Sequence, residues 1–111
     1  MPFPLRKRKV LHLIINGKDV FGEWLDALRD VPGRAAILKR IDRIEDGNFG
    51  DHHSVGDGVL EIRIHYGPGY RIYFGEDGLR IVLLLCGGDK RTQKKDIRKA
   101  LNLWAEYRRL K

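Results

Sequence analysis

The chain has 111 residues, 22 Lys and Arg against 15 Asp and Glu, a formal net charge of +7 and one Cys. That length suits one compact domain with a modest core, and a single Cys excludes a disulfide framework, a Cys-ligated zinc site and a CxxC redox pair. The apolar run VLHLII after the basic segment MPFPLRKRK is broken by His12 and stops at Asn16-Gly17-Lys18-Asp19, so neither a membrane span nor a signal peptide is expected, and the cytoplasm is the default setting.

Residues 1–9 read as a basic, disordered arm ahead of a single domain over 10–111. Val10–Ile15 is long enough for one strand, ended by Asn16-Gly17. Asp19 is an expected N-cap, and Phe21, Trp24, Leu25 and Leu28 fall on one helical stripe. Val31-Pro32-Gly33 is expected to break that helix, with a second helix over 34–45 burying Ile37, Leu38, Ile41 and Ile44 and completing a helical hairpin. Gly47–Gly58 has four glycines and no sustained periodicity, so it reads as a loop. In 59–65, Leu60, Ile62 and Ile64 alternate with Glu61, Arg63 and His65, which predicts a strand covered on one face. Tyr66-Gly67-Pro68-Gly69 turns the chain, and 70–74 alternates again with Arg71 and Tyr73 outward. After a turn at Glu76-Asp77-Gly78, the almost wholly apolar 79–86 predicts a strand covered on both faces. A last helix over 91–109 is expected to bury Ile97, Ala100 or Leu101, Trp104 and Tyr107. The fold class is therefore α+β, in the order β-α-α-β-β-β-α, with a mainly antiparallel sheet packed against the helical hairpin and the C-terminal helix.

Charge is concentrated late in the chain. Lys90–Lys111 holds Lys90, Arg91, Lys94, Lys95, Arg98, Lys99, Arg108, Arg109 and Lys111 against Asp96 and Glu106. A polyanionic partner follows, with nucleic acid ahead of membrane; the bland alternative is a solvated helix face. Arg63 and Arg71 flank a tight hairpin with Tyr73 two residues on, a platform of two guanidiniums and a phenol suited to RNA phosphate and bases. The alternative is that Arg63 forms an ordinary ion pair with Glu61.

Cleaving RNA without a metal requires a base for the 2′-OH, cations for the phosphorane and a donor for the leaving oxygen. Glu61 or His65 can serve as base, Arg63 and Arg71 as charge stabilisers, and Lys90 or Arg91 as further phosphate clamps. His52-His53 lacks a third ligand at a familiar spacing, so no metal site is expected. The Gly56-x-Gly58 and Gly67-x-Gly69 pairs lack the strand-turn-helix setting of a dinucleotide fingerprint, so no cofactor is expected. Cys86, at the end of an apolar strand, reads as a small buried residue.

The stretches FGEWLDALRD (21–30), RIDRIEDGNFGD (40–51), VGDGVLEIRIHYGPGYRIYF (55–74) and LLLCGGDKRTQKKDI (83–97) closely resemble the addiction-module killer proteins, a HigB-like branch of the RelE/ParE toxin superfamily. The resemblance covers about 10–109. It implies the toxin of a type II toxin–antitoxin module, encoded beside an antitoxin that carries a helix-turn-helix and neutralises it by direct binding. RelE-like members cut mRNA in the ribosomal A site without a metal. Carried onto this sequence, the implied phosphate-handling residues are Arg71 of the GYR motif, Arg63 on the preceding strand and the pair Lys90-Arg91. Glu61 stands where RelE has a further Lys, and Lys95-Asp96-Ile97 where it has a Tyr, which leaves Tyr73 as the available phenol. ParE members share the fold and poison DNA gyrase, so a gyrase inhibitor without nuclease activity is the alternative.

Overall fold

The computed structural model describes residues 7–111. Five strands form one sheet in the order β1-β5-β4-β3-β2: β1 (Lys9–His12), β2 (His52–Gly56), β3 (Val59–Ile64), β4 (Tyr70–Asp77) and β5 (Ile81–Gly88). Only the β1–β5 pairing is parallel; the other three are antiparallel. Helices α1 (Val20–Ala27) and α2 (Val31–Glu45) pack with one core cluster, and α3 (Gln93–Leu110) with another. The α+β class and its sheet with flanking helices are as the sequence indicates, with β2 as an additional strand. Among the described residues no helix is long and apolar enough to cross a membrane.

Two sets of residues separate the two faces. Ile62, Ile64, Tyr70, Ile72, Phe74, Val82 and Leu84 join Phe21, Leu25, Ile37 and Ile44. Val59, Tyr73, Leu83, Leu85 and Cys86 join Ala100 and Trp104. A sheet sandwiched in this way has no wholly solvated face, which corrects the one-sided burial expected for β3 and β4. Side-chain parity is right there; exposure is not. The pairing Tyr73↔Cys86 is followed by Phe74↔Leu84, so Leu85 is the extra residue of a bulge. That shift places Cys86 with Leu85 on the α3 side.

The start of α2 differs from the sequence expectation for a physical reason. Asp30 is the N-cap, its Oδ1 accepting the Gly33 backbone N–H at 3.0 Å, and Pro32 lies in the first turn. There the missing proline N–H costs no helical hydrogen bond, so Pro32 opens the helix instead of ending the previous one. The other carboxylate oxygen accepts the Tyr70 hydroxyl at 2.7 Å. A Cβ on Gly33 would fall 2.7 Å from the Tyr70 ring, so the glycine admits the ring against the helix. Asp30 thus ties α2 to the β3–β4 hairpin. Asp30→Ala removes a cap and a half-buried hydrogen-bond acceptor together, and is expected to cost about 2 kcal/mol in urea denaturation.

Other boundaries shift as well. Leu38 is exposed, whereas Ile37 and Ile44 are buried. The expected 47–58 loop contains β2, whose His52, His53 and Ser54 pair with Ile62, Glu61 and Leu60; its polar side chains at a sheet edge hid it from a periodicity reading. β4 continues through Asp77, placing the turn at Gly78-Leu79-Arg80. Lys9 begins β1, and the Arg8 backbone N–H donates to the Glu45 carbonyl at 2.8 Å, so the last two residues of the expected arm belong to the fold. Its first six lie outside the described residues.

Candidate functional site

At the hairpin end of the sheet, Arg63, Ile64, His65, Gly69, Tyr70, Arg71 and Lys90 line a cleft of about 300 Å³. β3 and β4 set Arg63 directly opposite Arg71, and β4 and β5 set Arg71 opposite Gly88. The chain leaving Gly88 carries Lys90 to the rim. The β3–β4 reversal uses glycines at positive φ, Gly67 at 55° and Gly69 at 78°; the Gly69 Cβ position lies 3.6 Å from the Lys90 side chain.

The cations are organised by a carboxylate beneath them. Glu61 is 1% exposed. Its Oε1 accepts from Arg63 Nε at 2.9 Å and Arg71 Nη1 at 3.5 Å, and its Oε2 from the Tyr73 hydroxyl at 2.9 Å and Gln93 Nε2 at 3.0 Å. Two oxygens offer about four acceptor positions, and all are used. Burial by itself raises the Glu61 pKa, but hydrogen bonds from Gln93, Arg63 and Tyr73 and the charge of Arg71 outweigh it, and the net direction is down. Glu61 is therefore an ionised anchor with no free lone pair, a poor base for a substrate proton.

Burial, with the hydrogen bond to Glu61, pushes the Tyr73 phenol well above its ordinary value. Tyr73 is fully buried in the α3-facing core. It holds Glu61 and does not reach the cleft, which corrects the expected exposed phenol. Gln93, the first residue of α3, is the member of this group that sequence reasoning missed. An uncharged side chain among lysines carries no signal of its own; only its place in the recognised GGDKRTQKKDI stretch marks it.

Arg71 is the unusual member. It is only 8% exposed, and its Nε, fully buried, has no acceptor among the described residues. Its one contact to Glu61, at 3.5 Å, is long for a charged pair. A guanidinium so placed retains donor capacity toward an anion entering the cleft. The expected Arg63–Glu61 ion pair is present, but its acidic partner lies in the interior and the pair is part of the site's frame.

The remaining expected phosphate-binding residues do not gather here. Arg91 is exposed, with its Nη2 3.5 Å from Asp89. Lys94 and Arg98 are exposed on α3, and none of the three lines this cleft. Lys95 lines a different cleft between α1 and α3, with Lys18, Trp24 and Lys99. Cys86 is buried, and burial pushes its thiol up to about 12. His53 and His65 both meet Asp51, at 3.0 and 2.7 Å.

The fold and this cleft define a small α+β protein whose sheet gathers Arg63, Arg71 and Lys90 at its hairpin end. The chain belongs to the family described as phage-derived protein Gp49-like (DUF891), which it matches over residues 23–105. It is also 50% identical over 80 residues to an uncharacterized protein of Haemophilus influenzae, a match covering 72% of this chain and 81% of that one.

Proposed function

We propose that the chain is a RelE-like toxin of a type II toxin–antitoxin module, acting in the cytoplasm as a metal-independent, ribosome-dependent endoribonuclease on mRNA. The observation that carries this reading is the buried Arg71 guanidinium with its unpartnered Nε, set beside Arg63 and Lys90 in one cleft. A dianionic phosphorane needs preorganised cationic donors at its equatorial oxygens, and Arg63 and Arg71, both held by Glu61, supply them with the exposed Lys90 at the rim. Membership of the Gp49-like family supports the toxin assignment. A cognate antitoxin, encoded adjacently and carrying a helix-turn-helix, neutralises the protein by covering this cationic face, and acidic residues on it would give fast, salt-sensitive association.

Induced expression in a bacterial host tests the target. Amino-acid incorporation is expected to stop within minutes while plasmid supercoiling persists. Loss of supercoiling with protein synthesis continuing would contradict the nuclease reading and favour the gyrase-directed alternative.

A further inference from the structure

Of the groups lining the cleft, Arg63, Arg71 and Lys90 are cationic donors. The Tyr70 proton is committed to Asp30, a hydrogen bond that pushes its phenol up to about 12. Glu61 beneath them is saturated with donors. One lining side chain is left with a ring nitrogen that can accept a proton, the imidazole of His65.

His65 is held by a second carboxylate. Its Nε2 lies 2.7 Å from Asp51 Oδ2, on the residue just before β2. With that nitrogen donating to Asp51, the neutral ring keeps Nδ1 as its acceptor. His53 Nε2 sits 3.0 Å from the other oxygen of Asp51, so the carboxylate is gripped from both sides.

The segment carrying Asp51 is itself fixed from α2. Arg40 Nη1 donates to the Arg63 carbonyl at 2.9 Å, and its Nη2 to the Phe49 carbonyl at 2.9 Å and the Asp51 carbonyl at 3.4 Å. One guanidinium thus joins the backbone that presents Arg63 to the backbone that presents Asp51. The close fit requires glycine at position 50, where φ is +62° and a Cβ would lie 2.8 Å from Arg40 Nη2. Arg40 fixes the spacing between the segment that carries Arg63 and His65 and the segment that carries Asp51.

We infer that His65 is the general base of the proposed cleavage, with Asp51 as the positioning residue that sets its tautomer and Arg40 as the clamp that holds the pair in register. Resting on the nuclease reading, the step is an internal displacement. His65 Nδ1 takes the 2′-OH proton, the 2′-oxygen–phosphorus bond forms, the phosphorus–O5′ bond breaks, and the departing O5′ takes a proton from water. The products are a 2′,3′-cyclic phosphate and a 5′-hydroxyl. Arg63, Arg71 and Lys90 meet the phosphate charge, and Glu61 stays ionised throughout.

Cleavage of a defined mRNA on programmed ribosomes, with full-length protein, tests this. His65→Ala is expected to lower kcat by about 10²-fold or more, with partial recovery on adding free imidazole, which a merely structural role would not give. Asp51→Asn is expected to lower kcat with KM unchanged, and Arg71→Ala to gain nothing from added imidazole. Wild-type protein that cuts while His65→Ala cuts equally well overturns the base assignment alone. Wild-type protein that leaves every transcript intact overturns the nuclease reading and the assignment together.

Discussion

Arg71→Ala is expected to lower mRNA cleavage by about 10²- to 10³-fold, the usual loss on removing one preorganised donor to a developing anion. The folded state should survive. Arg71 makes one long contact with Glu61 and leaves Nε unpartnered, so little stabilising interaction is lost, and Glu61 keeps Arg63, Tyr73 and Gln93. Arg71→Lys is expected to recover little activity, because an ammonium cannot reproduce the planar fork that spans Glu61 and a phosphate. Single-turnover cleavage rates with urea denaturation of the same variants separate the two effects. A variant that unfolds as readily as it loses activity would place Arg71 among structural residues.

Removing the anchor has the opposite signature. Glu61→Ala leaves Arg71 buried without its counter-charge and strips acceptors from Tyr73 and Gln93, and is expected to destabilise the protein by about 3 kcal/mol or more. The pH dependence follows from the lowered Glu61 pKa. With a folded-state value below the ordinary 4.5, Glu61 contributes stability that is fully present above that value and lost as pH falls through the lower one. Wild-type protein should therefore lose stability on acidification in that window, and Glu61→Gln should flatten that limb of the curve. An unchanged acid limb in Glu61→Gln would show that another carboxylate controls acid unfolding.

Every element except β2, the Asp19 cap, the buried stripes apart from Leu38 and the doubly covered β5 were legible because each depends on local periodicity or capping chemistry. What escaped was the third dimension of the α3 face. Glu61, Arg71 and Tyr73 alternate with apolar residues in β3 and β4 as an exposed set would, yet α3 lies over them, and a period-2 pattern cannot say whether polar residues meet water or one another. The same limit explains Gln93, whose donation to Glu61 spans 32 positions in the chain. Arg63, Arg71, His65 and Lys90 were found by residue type and do share a cleft. Lys94, Lys95 and Arg98 share only the composition of that group, because a helix turns such residues around its axis and away from the sheet edge.

RNA cleavage itself is tested most directly by primer extension across several mRNAs in a translating extract, with and without the purified protein. New 5′ ends that arise only while the message is being translated are the expected result. Transcripts that stay intact although growth is arrested in cells making the same protein would contradict it.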